Sequence, residues 1–222
     1  MIRKIVVVLF SFFFIVPLFA QITTALDYFK TVSDYYATIK DYEADMNIKA
    51  GRQNMTAHVS FKKPDLLRID FSNPAEQVIL FNGDMLTIYL PGASAVLQQS
   101  AEETDEQGFV LATPNGLSLM SRYYTISYES TPNAHALDES SDEQVVTLSL
   151  NRKNTSEAFR TIVVAINAQT KLIRRMTAIT PPGEKFVFDF SNYKLNQNIP
   201  DQRFIYDAPS SANVYNNFLL AE

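Results

Sequence analysis

The feature that most restricts how this 222-residue chain can fold is a strict two-residue alternation of apolar and polar side chains, renewed after each turn signal. It is densest at residues 59–90, VSFKKPDLLRIDFSNPAEQVILFNGDMLTIYL. Val59 and Phe61 alternate up to Lys62-Lys63-Pro64. Leu67, Ile69 and Phe71 take one side of the next run, with Arg68 and Asp70 on the other, before Ser72-Asn73-Pro74 leads into QVILF. Asn82-Gly83 then divides QVILF from MLTIYL, a strong hairpin signal because both residues tolerate the positive φ of a type I′ turn. Pro64 and Pro74 fall between runs, where a missing N–H removes no ladder bond. Alternation of this kind marks antiparallel strands with one buried face; parallel strands buried on both faces read as continuous apolar runs.

The pattern extends both ways. Tyr42, Ala44, Met46, Ile48 and Ala50 alternate before Gly51, and Met55, Ala57, Val59 and Phe61 after it. SAVLQQ, YTISYE, QVVTLSL, FRTIVVAIN, KLIRRMTAIT and KFVFDFSNY read as further strands, the last with Phe186, Phe188 and Phe190 on one side. Two segments break the period. Ile22, Leu26, Phe29, Val32, Tyr36 and Ile39 recur at spacings of three and four, which predicts a helix over 22–39. Residues 113–122 hold a Pro-Asn-Gly turn followed by Leu117, Leu119 and Met120, enough for one or two helical turns. The reading is α+β, with about ten or eleven antiparallel strands dominating.

A sheet that wide carries more apolar surface than one long and one short helix can cover. Stripes such as Val59/Phe61, Leu67/Ile69/Phe71 and Phe186/Phe188/Phe190 form ordinary core in many proteins. The shortage of covering points instead to a sheet curled around an apolar space, with a lid closing over what would otherwise be a large exposed patch.

Arg3 and Lys4 precede IVVVLFSFFFIVPLFA, the charged start, apolar middle and small-residue end of a secretory signal peptide, read as cleaved after Ala20. Residues 21–222 then form a single domain, with no shift of composition along them. Residues 1–20 carry two basic and no acidic side chains, so their removal takes the formal charge from −5 to −7. An acidic chain without a basic run is a poor match for nucleic acid or an anionic membrane surface. The two histidines, His58 and His135, sit in no metal-ligand motif, and there is no Gly-rich phosphate loop, G-x-S-x-G elbow or H-E-x-x-H. No enzyme, metal site or cofactor is expected.

The basic pair before Pro64, the Arg68 strand, Asn73-Pro74, VILFNG and LTIYLP resemble the LolA-type periplasmic outer-membrane lipoprotein carrier family. FVFDFSNYKLNQNIPDQRFIYDAP at 186–209 is similar to that family's C-terminal end. The resemblance implies an incomplete antiparallel β-barrel with a helical lid, enclosing a hydrophobic cavity for lipoprotein acyl chains. Each methylene buried there is worth about 0.8 kcal/mol, so several chains together are held firmly by many non-directional contacts. Val59, Phe61, Leu67, Ile69, Phe71, Phe186, Phe188 and Phe190 are the candidate lining residues, joined by Leu117 and Met120 if 113–122 is the family's lid helix; a surface helix packed on the sheet is the alternative. Lys63 matches the basic position where the best-known carriers place a lid-latching Arg, although Lys offers three donors on a flexible stem in place of a planar fork. Arg68 matches an Arg often seen in the next strand, with a solvated strand charge as the other reading.

The implied partners are acylated lipoproteins, an inner-membrane lipoprotein-release ABC transporter and, where one is present, an outer-membrane acceptor, all served by a monomer in the periplasm. The chain has no cysteine, which excludes disulfides and thiol chemistry and also the lipidation that a membrane-anchored receptor of this type requires. A lipid- or lipoprotein-sensing regulator of the envelope on the same scaffold is the second reading, and an envelope hydrolase the third.

Overall fold

In the computed structural model, which describes residues 23–100 and 112–217, the alternating runs pair into one sheet with thirteen strands among the described residues. β1 (Asp41–Ala50), β2 (Gln53–Lys62), β3 (Leu66–Asn73), β4 (Ala75–Asn82), β5 (Met85–Leu90) and β6 (Ala95–Ser100) form a meander of antiparallel neighbours. β7 (Tyr124–Tyr128), β8 (His135–Ala136), β9 (Gln144–Arg152), β10 (Thr161–Asn167), β11 (Ile173–Ile179) and β12 (Lys185–Leu195) make the other half, joined to the first by antiparallel pairing of β12 with β1. β13 (Asn213–Asn216) lies parallel to β6. The order β13-β6-β5-β4-β3-β2-β1-β12-β11-β10-β9-β7 never closes, so the barrel is incomplete. β8 and β13 are the two strands that the alternation did not announce; they are two and four residues long.

α1 (Ala25–Thr38) and α2 (Pro114–Tyr123) pack on each other and on β7, over the inner face of the sheet. Thr24 caps α1, its Oγ1 accepting from the Asp27 N–H at 3.1 Å, and satisfying one of the free donors of the first turn. Ala25, Phe29, Val32 and Tyr36, spaced by four, three and four, are its buried line. Leu26, expected on that line, is 53% exposed: one residue on from Ala25, it is turned about 100° around the helix. Ile22 and the signal-like residues 1–20 lie outside the described residues. Thr113 caps α2, accepting from the Gly116 N–H at 3.0 Å, and Pro114 fills the first turn, where its missing N–H has no helical partner to lose.

The Asn82-Gly83 hairpin forms by a different chemistry from the one expected. Of the two loop residues, Gly83 and Asp84, only Gly83 has positive φ, 99°. Positive φ at the first loop position alone is the pattern of a type II′ turn. Asn82 contributes its side chain, whose Oδ1 accepts from the N–H groups of Asp84 and Met85 at 3.1 and 2.9 Å.

The outer face of the sheet is covered twice. The segment after β12 crosses β3 and β4 with a 3-10 turn at Asp201–Phe204, where Phe204, Val78 and Leu80 are all buried. The loop between β7 and β9 lies over the other half, with His135 Nε2 3.1 Å from Thr147 Oγ1 and Asp138 paired to Arg175 at 2.8 Å. Among the described residues, no helix is long and apolar enough to cross a membrane.

Candidate ligand-binding face

Antiparallel register puts directly opposite residues on one side of a sheet, and this fixes the inner face strand by strand. Phe61 lies opposite Leu67, Val59 opposite Ile69 and Ala57 opposite Phe71. Across β1, Met46 faces Phe190, Ile48 faces Phe188 and Ala50 faces Phe186. The eight strand residues picked from the sequence therefore all lie on the inner face. Val59, Phe61, Leu67, Ile69, Phe71 and Phe190 are buried in one cluster with Leu117 and Met120 of α2, while Phe188 is half-buried against it. Phe186 is half-buried further out, with its ring 6.4 Å from that of Phe159, edge to face.

The register also extends this face beyond the predicted residues. Ile79 and Phe81 of β4 lie opposite Ile69 and Leu67, and Ile88 and Leu86 of β5 lie opposite them in turn, followed by Leu97 of β6. These five are half-buried. They form an apolar wing that the two helices do not fully cover. VILF and LTIYL read as strands, but near-continuous apolar runs do not say which residues face inward; the paired register does.

Three tyrosines bind the helical cover to the sheet; sequence reasoning treated Tyr36 and Tyr42 only as apolar stripe and gave Tyr193 no role. Tyr36 of α1 accepts from the Ile173 N–H at 3.0 Å, Tyr193 of β12 donates to the Ile173 C=O at 2.9 Å, and their hydroxyls are 3.4 Å apart. Tyr42 of β1 donates to the Ala112 C=O at 3.0 Å, next to the residue that caps α2. Burial pushes the Tyr36 hydroxyl up to about 12 and those of Tyr42 and Tyr193 well above the ordinary phenol value. All three thus stay neutral donors.

Lys63 reaches the helical cover at α1, not at α2: its Nζ donates to the Ala37 C=O and its N–H to the Lys40 C=O at 2.9 Å. A cation on the last carbonyls of a helix is favourably placed against the helix dipole. Arg68 is a correction. It lies on the outer face, opposite Leu80 and Ser60, and its hydrogen bonds go to Asp70 and the C-terminal segment. Its Nε and Nη2 donate to Asp70 at 2.9–3.0 Å, its Nη1 donates to the carbonyls of Arg203 and Ile205 at 3.1 Å, and it stacks over Tyr206 at 5.8 Å. Arg203 in turn donates to Asp70 and to Ser60 Oγ. Arg68 fastens the C-terminal segment to the outside of the sheet.

The histidines stay apart. His58 lies on the outer face with Nδ1 3.0 Å from Asp45 and Nε2 3.5 Å from Glu43, and the His135 Nδ1 is buried without a hydrogen-bond partner. No group of three or more metal-ligating side chains occurs among the described residues.

Residues 46–207 match the family model described as outer membrane lipoprotein carrier protein LolA. An outer-membrane lipoprotein carrier protein of Pseudomonas aeruginosa is 24% identical over 162 residues, which is 73% of this chain and 72% of the relative. One from Pseudomonas putida is 23% identical over the same shares. Among solved structures, an uncharacterised conserved protein of Thermus thermophilus superposes with TM-score 0.57 at 11% identity, covering 85% of this chain and 96% of the other. MucB in the Pseudomonas aeruginosa MucA/MucB complex does so with TM-score 0.52 at 11% identity, covering 86% of this chain and 63% of that one.

Proposed function

Since the chain belongs to the LolA family of outer membrane lipoprotein carrier proteins, we propose that it holds lipoprotein acyl chains against the inner face of its open sheet and carries lipoproteins from the inner to the outer membrane. The observation that carries this reading is the excess of apolar inner face over helical cover. Ile79, Phe81, Leu86, Ile88 and Leu97, with Phe186 and Phe188, stay half-buried on a face whose centre is fully packed. Apolar side chains in that state gain by covering a partner's methylenes, at roughly 25 cal/mol per Å². The buried lining residues and Leu117 and Met120 join the site when the helices move apart, and Lys63 bears on that step through α1.

The reading places the chain in the periplasm after removal of residues 1–20, as a monomeric single domain at 21–222, without enzymatic activity or cofactor. Its cargo is acylated lipoprotein, its donor an inner-membrane lipoprotein-release ABC transporter, and its acceptor an outer-membrane protein or the membrane itself. Native mass spectrometry of the protein taken from its own cell envelope tests this. Bound lipoprotein supports the carrier. Bound free lipid, or a stable complex with a signalling protein, supports the second reading, a lipid- or lipoprotein-sensing regulator. That reading draws on the shared fold of MucB, which was solved with MucA. Protein that is bare, and takes up no acyl probe, overturns both.

A further inference from the structure

Consecutive strand residues point to opposite faces of a sheet. At the start of β1 and the end of β2, this links two elements that lie on opposite sides of the sheet. Asp41 points outward, yet is only 2% exposed. Its carboxylate accepts from the N–H groups of Gln197 and Asn198 at 2.7 and 3.2 Å, and its carbonyl from the Asn196 N–H at 2.8 Å. Asn196 returns the contact through Oδ1, which accepts from the Lys40 N–H at 2.8 Å. Opposite Asp41 stands Lys62, which donates to the Ile199 C=O at 2.7 Å and to Asp201 at 2.5 Å. These bonds seat residues 196–201, the first part of the outer C-terminal strap that Arg68, Asp70 and Arg203 hold further along.

The very next residues reach the helical side: Tyr42 points inward from β1, and Lys63, exposed and just past the end of β2, reaches α1. Tyr42 holds the Ala112 C=O, and Lys63 holds the Ala37 C=O near the end of α1. Ala112 is 0% exposed, so no water can replace the tyrosine at its carbonyl. An unmade hydrogen bond there carries the full desolvation penalty of the carbonyl. The Tyr42 bond therefore favours the seated start of α2 over any position that leaves this carbonyl buried without a partner.

We propose that Asp41–Tyr42 and Lys62–Lys63 form a two-sided latch, through which the strap on the outer face controls the helical cover on the inner face. With the strap seated, Asp41 is fixed and its neighbour Tyr42 is aimed at Ala112. When the strap lifts, the start of β1 relaxes, the Tyr42–Ala112 bond is lost because hydrogen bonds weaken steeply with misalignment, and α2 is released. The coupling is reciprocal, as linkage requires.

The test uses hydrogen exchange, read by mass spectrometry, on the chain without cargo, so its result does not depend on the carrier reading. Arg203→Ala removes strap contacts to Asp70 and Ser60, far from α2; Asp41→Asn replaces an acceptor pair with a group that offers one acceptor and an opposing donor. Each variant is expected to speed exchange in 197–206 and, at least tenfold, in 114–123, leaving β9 and β10 at wild-type rates. With Tyr42→Phe in the background, Arg203→Ala no longer changes exchange in 114–123. Faster strap exchange with α2 unchanged overturns the proposal, and so does a strap unaffected by either variant, or an Arg203→Ala effect on α2 that persists without the Tyr42 hydroxyl. Should Asp41→Asn not fold, Arg203→Ala with and without Tyr42→Phe decides the question alone.

Discussion

The hydroxyls of Tyr36 and Tyr193 stand 3.4 Å apart and complete a ring of hydrogen bonds through the backbone of Ile173. The proton positions follow from the partners. The Ile173 N–H donates to Tyr36, the Ile173 C=O accepts from Tyr193, and this leaves Tyr36 to donate to Tyr193. Tyr193→Phe breaks the ring twice, stranding a buried carbonyl and a buried O–H. The expected loss is about 1–3 kcal/mol of stability, measured as a lower denaturation midpoint with an unchanged denaturant slope.

The same tyrosines set an alkaline limit. A phenol whose pKa is raised on folding contributes stability that is whole below its unfolded value, about 10, and is lost as pH rises towards the folded value, about 12 for Tyr36. Stability should therefore fall above pH 10 as phenolate absorbance appears, and the buried phenols should ionise only together with unfolding.

At the acid end, carboxylates act in the opposite sense. Hydrogen bonds from Asn192 and His58 hold Asp45 below its ordinary value, and one from Arg175 does so for Asp138. Burial raises Glu143, but bonds from Asn167 and Arg174 outweigh it and leave it lowered. A lowered folded pKa contributes stability above the unfolded value and loses it as pH falls through the folded one. Denaturant midpoints should decline below about pH 4, and less steeply in Asn192→Ala than in wild type.

Two substitutions on one face should separate packing from binding. Ile69 is 3% exposed, so Ile69→Asn buries an unpaired amide and should destabilise the fold by roughly 1–3 kcal/mol. Ile79, its half-buried neighbour on β4, should lose less stability as Ile79→Asn while weakening a fluorescent fatty-acyl probe at least as much. Equal probe affinity in Ile79→Asn and wild type would remove the wing from the site.

Lys63→Leu takes a cation from the end of α1. Exchange at the last turn of α1 should rise, and transfer of an acylated lipoprotein should change more than the melting midpoint does. Unchanged transfer would leave Lys63 as a helix cap alone.

Much of this architecture is legible in the sequence because period-two patterning is dictated by burial of one sheet face. It carries the inner stripes and the outward side of Arg68: alternation puts that residue opposite Leu67 and Ile69, which fits the strand-charge reading, while the lid-latch reading came from the family resemblance alone. What the pattern cannot hold is contact between distant residues. Tyr36 and Tyr193 are joined across 157 positions, and the strap's grip on β1 through Gln197 and Asn198 depends on the positive φ of Asn196 and Asn198, 55° and 59°. β13 was missed because NVYN is exposed throughout and is held to β6 by its backbone.

A closed barrel has its girth dictated by strand number and stagger. This sheet ends instead in two separate rims, β13 and β7, so it can flex like a split ring. Small changes of twist, shared over a dozen strand pairs, widen or narrow the interior without breaking a ladder bond. The width of such an interior is set by the twist between neighbouring strands, not by a fixed strand number and stagger.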